Sequence, residues 1–440
     1  MKVTFTSFIA VLVLMFSGCR KHDFPQPTSK YPADLANAWM QMQIRLTRST
    51  PGFNSVVSDR SFGYAGIVMY ESLVPADGRY RSLLPQVGGS QVLTNKPRDQ
   101  YYWPASVNAG MATVTRLFFS NTSPANMASI DSLEAAYATK FQSTATAAKI
   151  QNAKEYGSQV ATAVFEWSKT DGAHEAHLHI IDPTYTAPIG EGLWVPTTPN
   201  TSPVHPRWGN NRTFIQNVAA NTQPAAPVPY SSSVKSPFYE MVNELYTTSL
   251  SLTHNDSITA KFWGDQPGNL NVPAHATNIL TQLIIKNHID LGSAAAAYAL
   301  HGIALNDASI SVFKTKYQFN LVRPATYIRN VMGFPNWNSV IPTPPHPEYT
   351  AAHAVISAAS AVVLERIFGT NYSFTDHSYD ALYGPRSYKS FDDYAKEAGR
   401  SRFLAGIHYS PSIATGLKQG RQVGNKVMQL NLQAHAGGYK

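Results

Sequence analysis

Lys316-Tyr-Gln-Phe-Asn-Leu-Val-Arg323-Pro324, Pro347-Glu-Tyr-Thr-Ala-Ala-His353 and Ser401-Arg402-Phe-Leu-Ala-Gly-Ile-His408 follow one another in that order near the C-terminal end of the chain. Between them they supply an ammonium, two guanidinium groups and two imidazoles. Such a set can hold a tetrahedral oxyanion and move protons at it. Fixed cations and N–H donors stabilise that charge best in a partly dry cleft. Each stretch alone is a weak signal; the ordered triple is a strong one.

Each stretch carries a local expectation. Lys316 and Arg323 are seven residues apart, two helical turns, so a continuous helix sets both on one face. Pro324 then ends or kinks that helix. Apolar Phe313, Phe319, Leu321 and Val322 argue against a solvated face. In the second stretch, the stiff run from Ile341 to Pro347 leads into helical spacing of Val355, Ile356, Ala359, Val362 and Leu364. Thr350 is placed as the N-cap, and the free N–H groups from Ala351 to His353 make an anion site. His353 in the first turn is the candidate acid–base group. In the third stretch, Arg402 and His408 are six apart, off one ideal helical face. Gly406 and Pro411 predict a bend that turns both inward. His408 then reaches the central atom of the anion and Arg402 an equatorial oxygen.

Working outward, helical periodicity dominates. Leu35, Ala38, Trp39, Met42 and Leu46 repeat at three and four residues, and Pro51-Gly52 ends that run. Ser61 to Leu73, Ala105 to Phe119 and Ser129 to Phe141 read the same way, the last continuing through Ala147 to Trp167. Helical signal returns at Phe238 and from Ala276 to Ile289, and Ser293 to Lys316 is Ala-rich. Sustained strand alternation is missing, so the fold class is all-α. Thr170 to Pro237 is dense in Pro, Gly, Asn, Ser and Thr. A long irregular connection of this kind is packed on the domain or shapes a site.

Composition bounds the rest. The 440 residues are 43% hydrophobic and 14% charged, a globular balance. The net charge is +8, but the cations are scattered, which argues against nucleic acid as a partner. Cys19 is the single cysteine, so an intrachain disulfide and a Cys-based zinc site are excluded. Lys2, the apolar run from Phe8 to Phe16 and the small-residue site Ser17-Gly18-Cys19 read as an export signal over residues 1–18. Its form is that of a lipoprotein signal. Cys19 then carries the lipid, and residues 19–29 tether the protein to a membrane facing the periplasm or cell surface. An ordinary signal peptide with an incidental cysteine is the alternative. The chain divides after the tether into a helical half over 30–236, with the long loop, and a second half over 237–440 that carries the oxyanion groups. His174-Glu-Ala-His177-Leu-His179 is a separate cluster, read either as a metal site or as polar loop residues.

The three stretches resemble the Lys-x6-Arg-Pro, Pro-Ser-Gly-His and Ser-Arg-x5-His-x3-Asp motifs of the vanadium-dependent haloperoxidases and type 2 phosphatidic acid phosphatases. Phe262-Trp263-Gly-Asp265, Asn306-Asp307-Ala308 and Trp194-Val-Pro-Thr197 extend the resemblance toward the bacterial haloperoxidase branch. It implies two packed helical bundles with long irregular loops. It implies vanadate as cofactor, with hydrogen peroxide, a halide and a small organic acceptor as partners. By position, Lys316, Arg323 and Arg402 bind vanadate oxygens, with Ala351 and Ala352 beside them. His408 is the ligand to vanadium and His353 the acid–base residue. Lys316 also polarises the bound peroxide, and Phe313 and His346 flank the halide pocket.

Two departures stand out. Ala351 and Ala352 replace the Ser and Gly of the second motif, and Ser412 replaces the Asp of the third. Losing the serine hydroxyl costs the anion about 1–3 kcal/mol, which favours iodide or bromide over chloride as the oxidised halide. Losing the Asp weakens a phosphatase reading, in which His408 is a nucleophile, more than a peroxidase reading. A non-catalytic surface lipoprotein on the same scaffold is the third alternative.

Overall fold

A computed structural model describes residues 28–78, 80–198, 201–265 and 268–432. The expected signal segment, Cys19 and nearly all of the tether lie outside the described residues. Fifteen α-helices run in chain order among the described residues. They are α1 Asp34–Ser49, α2 Ser55–Glu71, α3 Trp103–Phe118, α4 Pro124–Gln142, α5 Ala147–Ser168, α6 Val218–Asn221, α7 Pro237–Ser249 and α8 His254–Phe262. There follow α9 Val272–Lys286, α10 Leu291–Phe319, α11 Pro324–Asn330, α12 Ala352–Phe368, α13 Asp380–Tyr383, α14 Phe391–Leu404 and α15 Ser410–Val427. Strands β1 Phe374–Asp376 and β2 Arg386–Tyr388 pair antiparallel, a hairpin too short to leave an alternation signal. The all-helical expectation holds. The expected run from Ser129 to Trp167 is two helices, because Thr146 caps α5 by accepting from the Lys149 N–H.

α10 is the hinge of the architecture. Asp290 starts it by accepting from the N–H groups of Gly292 and Ser293, and an Ala run then keeps its girth small. One side packs on α2, whose neighbours include α3 and α5, and the other on α12 and α15. α12 also meets α14, so two bundles share one axis. Glycines mark the closest crossings. A Cβ on Gly302 of α10 would sit 2.5 Å from the Phe62 carbonyl oxygen of α2. A Cβ on Gly420 of α15 would sit 2.1 Å from the Val355 carbonyl oxygen of α12.

The long connection from 170 to 236 has little regular structure, yet it is fastened to α10. Asp307, fully buried, accepts the N–H groups of Phe214 and Ile215, both at 2.8 Å. The Trp194 N–H donates to the Asn320 carbonyl at 2.6 Å, and Leu193 bridges Leu321. The Trp194 and Asn306-Asp307 stretches are therefore fastenings between loop and helix. Gly302→Ala should lower stability by about 1–3 kcal/mol through overpacking. Denaturant unfolding would measure it, with helix content in the folded state unchanged.

Candidate active site

The three stretches do meet, though two of the local routes differ from expectation. Lys316 lies in the last turn of α10, but Arg323 is not on that helix. Asn320 takes a left-handed conformation (φ 46°) and closes α10 with its N–H on the Lys316 carbonyl. The chain then runs extended to Arg323, which caps α11, and Pro324 starts that helix instead of ending the previous one. The seven-residue spacing works because the turn folds Arg323 back over the end of α10. In the second stretch Ala351, not Thr350, is the N-cap of α12, and no side chain caps the helix. The Thr350 hydroxyl is instead turned away, donating to Gln419 of α15 at 2.7 Å. The first N–H groups of α12 are thus left for another acceptor. The third stretch behaves as expected. Arg402 lies in the last turn of α14, Gly406 reverses the chain at φ 79°, and Pro411 lies in the first turn of α15.

The cations are buried. Lys316 and Arg323 are completely shielded from solvent and Arg402 is nearly so. Each is supported by carbonyl oxygens. Lys316 Nζ donates to Pro347 O at 3.0 Å and Glu348 O at 2.9 Å. Arg323 donates through Nε to His346 O at 2.9 Å and through Nη1 to Ile407 O at 2.8 Å. Arg402 donates through Nη1 to Trp263 O at 2.8 Å, while its buried Nε finds no partner among the described residues. Burial lowers both guanidinium pKa values to about 10. Burial, and then the Arg323 charge, hold the Lys316 ammonium well below the usual lysine range.

The two histidines are set differently. His408 Nδ1 lies 2.9 Å from Glu348 Oε1, and Nε2 lies 3.1 Å from Arg323 Nη1. Burial, followed by Arg323 and Lys316, holds the ring well below its usual range, so it is neutral. Nδ1–H then donates to the carboxylate and Nε2 keeps a lone pair facing the cations. Glu348 is fully buried and also accepts from the Tyr409 N–H at 3.0 Å and the Ser412 hydroxyl at 2.6 Å. Burial holds its carboxyl above the usual range, and Ser412 and Lys316 bring it only part of the way back. His353 places Nε2 at 2.8 Å from Trp263 O and 3.4 Å from Asp265 Oδ1. Burial and Arg402 lower its pKa against the pull of Asp265. Burial pushes Asp265 up, but His353 and Arg402 outweigh it and the carboxyl lies below its usual range.

A cavity of about 540 Å³ opens over this floor. Arg402, His408, His353, Ala352, Phe313 and His346 all line it. The Phe313 and His346 rings are 5.3 Å apart, and His346 Nδ1 accepts from Arg323 Nη2 at 3.0 Å. Ala351 is fully buried at the helix start. His205 comes from the long connection to the cavity wall. Its Nε2 meets Asn54 Nδ2 at 2.8 Å, and burial lowers its pKa to about 4.

Three residues escaped the sequence reading. Glu348 sits inside the second stretch, but nothing in the spacing shows that it turns toward His408. It meets His408 Nδ1 and accepts from Ser412, so the ring has a carboxylate partner even with Ser at 412. Asp265 was noticed only as part of a resemblance. Asp59 of α2 gave no signal at all. The His174, His177 and His179 imidazoles do not gather into a metal site, since no group of three ligating side chains does so among the described residues. His177 packs on the Phe53 ring instead.

Residues 296–437 match the family described as the VCPO second helical-bundle domain. The crystal structure of the first bacterial vanadium-dependent iodoperoxidase is similar at 28% identity and a TM-score of 0.79, over 93% of this chain and 98% of that one. A holo-type bacterial vanadium-dependent chloroperoxidase is similar in fold at 14% identity and a TM-score of 0.68, over 87% and 93% of the two chains. Its apo-type counterpart gives 14% and 0.66, over 91% and 94%. No curated protein sequence matches the chain.

Asp59 yields a test of stability. It is fully buried, and its carboxyl oxygens lack a well-formed hydrogen bond, with Ser309 the one hydroxyl beside them that draws the pKa down. Burial, and then Asp265, raise its pKa well above the usual value. The folded state therefore keeps a proton that the unfolded state loses near pH ~3.9. Stability falls as pH rises from there through the folded pKa. Asp59→Asn should raise the melting temperature at pH ~8 by a few degrees and leave it unchanged near pH ~3. Thermal scans at both pH values would check the difference.

Proposed function

The chain belongs to the vanadium haloperoxidase superfamily, and from that premise we propose that it binds vanadate and oxidises halide with hydrogen peroxide to hypohalous acid. Iodide or bromide is favoured over chloride. The observation that carries the reading is the neutral His408 ring, pinned at Nδ1 by Glu348 with its Nε2 lone pair among buried cations. A buried cluster of cations favours an anion, and the Nε2 lone pair, which accepts from Arg323 Nη1 at 3.1 Å, could turn to an electrophilic centre held among them. The unpartnered Arg402 Nε and the uncapped start of α12 fit a tetrahedral oxyanion as well.

Within this reading Lys316, Arg323 and Arg402 would hold the vanadate oxygens, and His408 Nε2 would meet the vanadium. Bound vanadate supplies Lewis-acid activation of hydrogen peroxide without changing oxidation state. Lys316 has one N–H left beyond its two carbonyl bonds, and would use it to draw charge from peroxide oxygen. With Nε2–H on the Trp263 carbonyl, His353 keeps its lone pair at Nδ1. That nitrogen would take the peroxide proton and return it as water leaves. Phe313 and His346 would bound the halide approach. The Ala351 methyl in place of a hydroxyl leaves the oxyanion less well held, which supports the easier halides. The iodoperoxidase likeness points the same way.

One observation favours a second reading. Glu348 orients His408 as a phosphatase would require, so His408 Nε2 could attack the phosphorus of a phosphate monoester while His353 protonates the departing oxygen. Water would then release phosphate from the ring. Hydrolysis of p-nitrophenyl phosphate that vanadate inhibits and His408→Ala abolishes would establish this activity.

After vanadate loading, the wild type should convert iodide and hydrogen peroxide to triiodide, with chloride turnover far below iodide turnover. His408→Ala should lose at least ~10²-fold in that rate. Glu348→Ala should weaken vanadate affinity by about 10–100-fold by freeing the ring. Ala351→Ser should tighten it roughly tenfold, the worth of one added hydrogen bond to the anion. Calorimetric titration with vanadate reads the last two directly. Chloride turnover matching iodide, or no vanadate binding, would sink the proposal.

A further inference from the structure

The cavity is larger than the proposed chemistry needs. Hydrogen peroxide and a halide ion are each not far above the size of water, whose share of the liquid is about 30 Å³. The cavity holds about 540 Å³, within the ~300–1,000 Å³ typical of sites for organic ligands. Its polar lining includes Arg402, His353 and His408, with Asn54, Ser55 and His205 beside them. Most of the rest is apolar, built from Val56, Val204, Val272, Ile341, Ile356 and Ile407. Prolines 342, 344 and 345 stiffen one side. Water gains little from such a wall, and an apolar guest gains much.

Among the described residues the lining contains a single carboxylate, Asp265. Its side chain keeps 34% of its surface open. Oδ2 accepts from the Ser55 hydroxyl at 2.8 Å, and Oδ1 lies 3.4 Å from His353. Two carboxylate oxygens offer about four acceptor sites, so Asp265 has capacity for one more donor. In an apolar chamber that donor belongs on the guest. The carboxylate also discourages an anionic guest at this end.

We propose that the chamber binds a neutral phenol, its hydroxyl donating to Asp265 and its ring lying on the valine and isoleucine wall, and that the ring is iodinated there. This rests on the haloperoxidase reading of the floor. The hydrogen bond to a carboxylate pushes electron density into the ring and raises its nucleophilicity. Iodide, hydrogen peroxide and a proton give hypoiodous acid and water, iodide losing two electrons to the peroxide O–O bond. A ring carbon then gives its electron pair to iodine, and the I–O bond breaks. That carbon loses its proton, and the oxygen departs as water. The chamber makes the acceptor a bound substrate, so the oxidised iodine is captured before it leaves.

The test has two parts. First, 4-iodophenol, a product-like probe, is titrated into the protein without vanadate or peroxide. Saturable binding is expected, weakened at least fivefold in Val56→Phe and in Val204→Phe, which fill the chamber away from the floor. Second, the vanadate-loaded protein is given phenol, iodide and peroxide. The ortho-to-para ratio of iodophenols should differ at least threefold from that of free hypoiodous acid. It should move toward the free value in whichever of the two variants remains folded. Triiodide formation with no saturable binding, or with the free ratio, overturns the phenol proposal and leaves the peroxidase reading standing. Binding of 4-iodophenol without triiodide formation overturns the peroxidase reading, and with it the iodination step.

Discussion

Desolvated positive charge is the constraint around which this structure is built. Three cations, Lys316, Arg323 and Arg402, are removed from water at the end of one helix bundle. Among the described residues Glu348 is the carboxyl group fully buried beside them, and its oxygens are engaged by His408, Tyr409 and Ser412. Isolated buried charges are costly unless hydrogen-bonded or paired. The chain answers with carbonyl oxygens from residues 263, 346, 347, 348 and 407. Carbonyls solvate a cation without neutralising it. The floor is thus stable enough to fold and still positive enough to want an anion.

That requirement explains the backbone around it. A carbonyl can face inward only where the chain is irregular or a helix ends, because helical carbonyls are otherwise committed. The site therefore sits at the end of α10 and α14, the start of α12 and the turn after α8. Asn320 and Gly406 take positive φ at two of those reversals. The long connection from 170 to 236 serves the same end. Its fastenings at Asp307 and Asn320 hold α10 at the turn that presents Lys316, and its residues 204 and 205 close the cavity wall.

The helical class was legible because apolar residues recur at three and four along helices such as α1 and α3. The ordered cations and imidazoles were legible because their types are rarely buried for structural reasons alone. What stayed hidden depended on three-dimensional return paths. The turn at Asn320 moves Arg323 off its helix, yet spacing alone favours a straight run. Thr350 has the chemistry of a cap, but Gln419, sixty-nine residues later, takes its hydroxyl. Glu348 lies within five residues of His353 in sequence and serves His408 instead. Asp59 and Asp265 come from separate helix ends, and nothing local to either marks it.

The relocation of the carboxylate bears on how the two motif departures fit together. Had Ser412 simply removed an acceptor, His408 Nδ1 would face a hydroxyl of indifferent polarity, and either tautomer would serve. With Glu348 in place the Nδ1–H form is fixed and the Ser412 hydroxyl becomes a second donor to the same carboxylate. A carboxylate so placed strengthens the ring nitrogen opposite it as an electron-pair donor. The Ala351–Ala352 pair would offer the proposed oxyanion no hydroxyl donor. A stronger donor nitrogen and a weaker equatorial hold act in opposite directions on a bound tetrahedral anion. The second can be offset in part by the uncapped N–H groups of α12, which no side chain occupies. Under the reading proposed above, that balance would suit the most easily oxidised halide.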